Sequence, residues 1–145
     1  MIRLVVVSAA LAVGVTAVMA QSNPIGQRRD LMKGVGGATR IGTQMVKGEA
    51  PFDLAKAKEV LQTYAKAADT MHTYFPDNSK TGGETTAAPK IWESQADFRK
   101  RFDDWAADIK KASAQTKDLD SFKDAFGAVT KACGSCHETY RIKKG

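Results

Sequence analysis

The chain has 145 residues, 43% of them apolar and 26% charged, and a formal charge of +6. That length holds one domain, and the composition excludes a disordered chain, a membrane bundle and, with two cysteines, a disulfide-stapled scaffold. The positive residues are scattered, without aromatic interleaving or a clustered stripe, so no nucleic-acid partner is expected.

Residues 1–20 carry Arg3 as their sole charge, with an apolar run from Leu4 to Val18. Small residues at Val18 and Ala20 precede Gln21 at the spacing a signal peptidase accepts, so residues 1–20 read as a cleaved signal peptide and 21–145 as the mature domain. The run is shorter than the ~20 residues a membrane span requires, so no span is expected after processing. Beyond residue 20, 21 Lys and Arg face 16 Asp and Glu, a charge of +5. A moderately basic surface of this kind can steer an acidic redox partner or an anionic surface.

The helical period dominates the mature chain, and no stretch alternates long enough to make a strand. A first helix is predicted from about Pro24 to Val46. Gly34, Gly36, Gly37 and Gly42 each cost it ~1 kcal/mol against Ala, a loss that packing must offset, and they would let a helix or a flat ligand come close. Lys47 to Pro51 reads as a turn. The second helix, from about Leu54 to Thr73, is capped by Asp53 and gathers Ala57, Val60, Leu61, Tyr64, Ala68 and Met71 into one apolar stripe. Phe75 to Pro89, holding Pro76 and Gly82-Gly83, is a long connection. A third helix, about Glu93 to Ala114, repeats the stripe with Phe98, Phe102, Trp105, Ile109 and Ala112. A fourth begins near Asp120 as its cap and continues through Phe122, Phe126, Val129, Cys133, Cys136 and Tyr140. Four stripes are buried most economically in an all-α, antiparallel four-helix bundle.

The chemistry is concentrated in Cys133-Gly134-Ser135-Cys136-His137. C-x-x-C-H is the pattern of covalent c-type haem attachment, in which both thiols add to vinyl groups and the adjacent imidazole ligates iron. Helical positions three and four apart share a face, so both sulfurs can meet one macrocycle. Two other readings compete. A thioredoxin-like pair would stand at a helix N-terminus near a β-α-β unit, whereas this pair lies near a helix C-terminus. A structural zinc site would need a fourth ligand, and the only other histidine, His72, is distant and reads as a surface residue.

With Tyr140 and Arg141 after the motif, Lys47-Gly48-Glu49-Ala50-Pro51-Phe52-Asp53 at the first turn and Pro89-Lys90-Ile91-Trp92 before the third helix, the mature chain resembles the class II cytochromes c, the cytochrome c′ group. The resemblance implies a bundle with haem near its C-terminal end, made outside the cytoplasm in the bacterial periplasm. It places Arg28 near the haem propionates and Met32 on the distal side of the iron, where gas-binding members usually carry an apolar residue. Low-spin relatives have methionine there. A thioether on iron fills the sixth position and raises the potential relative to a second nitrogen ligand, which suits electron transfer.

The expectation is therefore a periplasmic one-electron carrier with one haem c held by Cys133 and Cys136, its iron between His137 and Met32. Redox proteins are its expected partners, and monomer and homodimer remain open. The alternative is a five-coordinate cytochrome c′ that binds NO or CO. Trp92, Phe126 and Tyr140 are expected to wall the haem, Arg28 and Arg141 to meet its propionates, and Met45 and Met71 to be core. No catalytic site is expected: Gly34-Val35-Gly36-Gly37 lacks phosphate-loop spacing, and Asp103, Asp104 and Asp108 form no paired site.

Overall fold

The computed structural model describes residues 23–143; the expected signal segment lies outside them. Its helices are α1 (Pro24–Val46), α2 (Leu54–Thr70), α3 (Lys90–Glu93), α4 (Gln95–Gln115) and α5 (Leu119–Tyr140). The Asn23 side chain accepts the Gly26 N–H at 2.9 Å and Pro24, which has no N–H to satisfy, opens the first turn, so the start of α1 leaves fewer bare donors. Despite its glycines α1 is unbroken, because Val35, Ala38, Gly42 and Met45 form a continuous buried stripe. Gly48, at φ 73°, turns the chain toward Asp53, whose carboxylate caps α2 through the Lys56 N–H at 3.0 Å.

The predicted end of the second helix tightens into a 3₁₀ turn, Met71–Tyr74, and a second such turn covers Asp77–Ser79 in the long connection. Ser94, at φ −136° and ψ 50°, separates α3 from α4, so the third predicted helix starts at Gln95 rather than at Glu93. The cap of α5 is Asp118, not Asp120. Asp118 is extended and takes the Ser121 N–H at 2.9 Å, and the Ser121 hydroxyl oxygen accepts the Asp118 N–H at 3.0 Å. Asp120 already lies inside the first turn, 3.7 Å from Lys123.

α1, α2, α4 and α5 form an antiparallel four-helix bundle in which each packs on its two neighbours around the ring. Tyr64, Leu61, Ile109, Phe122 and Val129 fill the core, each buried apolar side chain worth roughly 1.5–3 kcal/mol. Tyr64 packs on Trp105 with centroids 5.7 Å apart, and Trp105 donates its indole N–H to the Val129 carbonyl at 3.1 Å. This ties α2, α4 and α5 together. α1 touches α5 least among the ring neighbours, and a cavity is bordered by these two helices.

Candidate functional site

The cavity has a volume of about 930 Å³, and α1, α4, α5 and the long connection wall it. From α5 come Cys133, Cys136, His137, Tyr140 and Arg141. All but the last stand in the final turns of a long helix, so the cysteines see the C-terminal end of the helix dipole, which does not lower a thiol pKa. Burial raises both thiols above their ordinary range; at Cys136 it acts against the Arg101 cation. Both are therefore protonated at neutral pH, opposite to a reactive redox dithiol. Desolvation, then the Arg141 cation, lowers the His137 imidazole. A neutral imidazole keeps a lone pair for a metal. Among the described residues no three His, Cys, Asp or Glu side chains gather around one ion-sized point, so the zinc reading falls.

From α1 the cavity receives Arg28, Met32, Val35, Gly36 and Thr39, at the spacings that keep residues on one helical face. Thr39 donates to the Val35 carbonyl at 2.8 Å, which leaves its oxygen to accept the Tyr64 hydroxyl, also at 2.8 Å. Burial, the largest cause, pushes the Tyr64 phenol up to about 12. Arg28 is 5% exposed; its guanidinium donates to the Ser79 hydroxyl at 3.2 Å and carbonyl at 3.0 Å and lies 4.5 Å over the Phe75 ring. Among the described residues no carboxylate pairs with it, and desolvation lowers its pKa. A buried, unneutralised guanidinium on a cavity wall favours an anionic group there.

α4 contributes Phe98, Arg101, Phe102 and Trp105. The turn after α2 and the long connection contribute Met71, Phe75 and the segment from Glu84 to Ala87. Glu84 pairs with Arg29 at 2.9 Å, the Ala88 N–H donates to the Tyr140 carbonyl at 3.0 Å, and the Ile142 N–H donates to the Thr86 carbonyl at 2.8 Å. The connection thus crosses from α1 to the end of α5.

Of the residues singled out from sequence, Cys133, Cys136, His137, Met32, Arg28, Tyr140 and Arg141 border this cavity. Trp92 and Phe126 do not. Trp92 stands behind Phe75, 5.9 Å between centroids, and donates its indole N–H to the Phe75 carbonyl at 3.1 Å. Phe126 packs beside Tyr64 and Phe122, with centroids 6.4 and 5.3 Å apart, because the stripe of α5 turns it toward the core. His72 is half-buried rather than a surface residue: the 3₁₀ turn after α2 brings its ring to 6.3 Å from Phe102 and encloses its Nδ1 without a partner. Met45 is core, whereas Met71, though buried, also lines the cavity. The α4 residues and the connection were not anticipated as site residues. Their signal was the aromatic repeat of the third helix, which reads equally well as core.

Two thiols one turn apart, a neutral imidazole beside them, aromatic walls and an unneutralised buried cation suit a flat, largely apolar, anion-bearing macrocycle. The donor set fits covalently attached haem. The cytochrome c′ family model matches residues 23–141. A cytochrome c′ of Rhodopseudomonas palustris is 38% identical over 99% of this chain and 98% of its own length. A cytochrome c-556 of the same organism is 34% identical over the whole of both chains. The solved structure of cytochrome c′ from Rhodopseudomonas palustris superposes with a TM-score of 0.83 at 41% identity, covering 86% of this chain and all of that one. The chain belongs to the cytochrome c′ family and binds one covalently attached haem c with its iron.

Proposed function

We propose that this protein is an exported, periplasmic one-electron carrier in which Cys133 and Cys136 would form the haem thioethers and His137 and Met32 would hold the haem iron. The observation that carries this reading is that Met32 on α1 borders the same cavity as His137 on α5. Bound there, the haem supplies an iron couple that takes up and gives back one electron. The chain's own residues do the rest. Phe98, Phe102 and Trp105 keep water from one side, which favours the less charged, reduced state of the site. Arg28, held by Ser79 and Phe75, offers its remaining donors to a carboxylate. Met32, as an iron ligand, would compete with any external ligand. A whole-length relationship to a cytochrome c-556 supports the carrier reading.

Export rests on residues 1–20, and no helix among the described residues is long and apolar enough to cross a membrane. The test is the spectrum of native protein in both oxidation states, with carbon monoxide added to the ferrous form. Low-spin spectra and poor carbon monoxide binding support the carrier. High-spin spectra and rapid binding give precedence to the gas-binding alternative. Recovery of the haem protein in the periplasmic fraction, starting at Gln21, supports export; a cytoplasmic, unprocessed haem protein overturns it.

A further inference from the structure

An iron-bound imidazole is usually aimed by a hydrogen bond to its second nitrogen. Among the described residues the His137 ring has no such partner, although its carbonyl accepts the Arg141 N–H at 3.2 Å. Its direction therefore comes from the backbone of the last turn of α5, and Tyr140 fastens that turn on two sides. Its hydroxyl donates to Oδ2 of Asp97 on α4, and its carbonyl accepts the Ala88 N–H from the long connection. Tyr140 is 4% exposed, its ring edge-on to Phe98 at 5.0 Å between centroids. Arg101 closes the arrangement, 5.8 Å above the Tyr140 ring, with Nε 3.5 Å from the Asp97 carboxylate.

We propose that Tyr140 is a positioning residue for the His137 imidazole, with Asp97 as its hydrogen-bond acceptor. The bond between them sets the orientation of the imidazole on iron and thereby the reduction potential. Tyr140 follows Cys136 by four residues and His137 by three, so a shift of its ring moves the turn that carries both. Asp97 also bears a charge, which would act on the potential by itself. A phenol held by a bond and an electrostatic effect make different predictions.

The inference rests on His137 as an iron ligand and holds whether or not Met32 occupies the other face. His137→Ala tests that assignment alone: if the native iron spectrum survives it, the ligand reading fails. The positioning test uses haem-loaded Tyr140→Phe, Asp97→Ala and Asp97→Asn. The readouts are the paramagnetically shifted imidazole proton resonances of the ferric protein and the reduction potential.

Tyr140→Phe and Asp97→Ala are expected to displace the imidazole resonances in the same sense. Each should change the reduction equilibrium up to about tenfold, equivalent to about 59 mV for one electron. The double variant should go no further than either single one. Asp97→Asn keeps an oxygen that can accept the phenol proton and should stay near the native values. The proposal is overturned if Tyr140→Phe leaves the resonances in place, or if Asp97→Asn moves the potential as far as Asp97→Ala does. Should Tyr140→Phe fail to load haem, Asp97→Ala, at an exposed residue, carries the same decision: unmoved imidazole resonances overturn the proposal.

Discussion

Gly42 of α1 and Phe126 of α5 meet so closely that a Cβ on residue 42 would lie 2.3 Å from Cε2 of the ring. The absent side chain admits an aromatic ring at the meeting of the two helices that border the cavity. Gly42→Ala gains ~1 kcal/mol of helix propensity but forces buried Phe126 off its rotamer, at a cost of about 1–3 kcal/mol or more. Net destabilisation is expected in denaturant unfolding. Gly34→Ala, where the added Cβ meets nothing within 4 Å, should instead stabilise by roughly 0.4–1 kcal/mol.

Covalent attachment is expected to depend on the two thiols. Cys133→Ala or Cys136→Ala should leave one thioether, and the double variant should release all haem on acid extraction. Intact-mass measurement decides it. The chain has no third cysteine, so a retained adduct in the double variant would be incompatible with thioether attachment at this motif.

Met32→Leu keeps nearly the same volume and should cost less than about 1.5 kcal/mol of packing while removing the sulfur. The ferrous variant is expected to turn five-coordinate and to bind carbon monoxide rapidly, as followed by stopped-flow absorbance. If it stays low-spin, the donor to remove next is Met71, which lines the cavity, and not Met45, which does not.

Alkaline pH should weaken the fold through Tyr64. Burial holds its phenol protonated up to about 12 in the native state, whereas an unfolded chain releases that proton near 10. The native state thus binds the extra proton between these values, and stability falls as pH rises through them, by roughly 2–3 kcal/mol in all. Below pH 10 the effect is fully retained. Urea unfolding across this window should show a flatter decline for Tyr64→Phe than for the native protein.

The stripes of the second, third and fourth predicted helices were legible because each repeats over several turns, and Pro24 and Asp53 mark helix beginnings in ways a sequence states directly; the glycine-rich first helix carries no such repeat, and its buried face, through Val35, Ala38, Gly42 and Met45, is set by packing. Asp118 was harder: it and Asp120 are both acidic residues near a helix start, and only the extended backbone at Asp118 decides which side chain turns back. Trp92 and Phe126 were expected on the cavity wall because aromatic residues near a motif suit either a wall or a core. Their direction depends on packing, Phe126 against Gly42 and Tyr64, and Trp92 against Phe75. The motif itself was legible because its chemistry is local. The Asp97–Tyr140 bond was not, since it joins residues 43 apart whose types are common on helix surfaces.

The reciprocal cap at Asp118 and Ser121 has a consequence for the order of assembly. It closes a tight corner between α4 and α5, so the surface bearing the thiols and the imidazole and the aromatic surface facing it come from one contiguous helical hairpin. Such near-neighbour pairing forms quickly, while α1 must return across most of the chain, at an entropic cost that grows with the length of the loop closed. The half of the pocket that makes covalent bonds is thus the half that needs least of the chain in order to exist, and the half that supplies Met32 arrives as its cover.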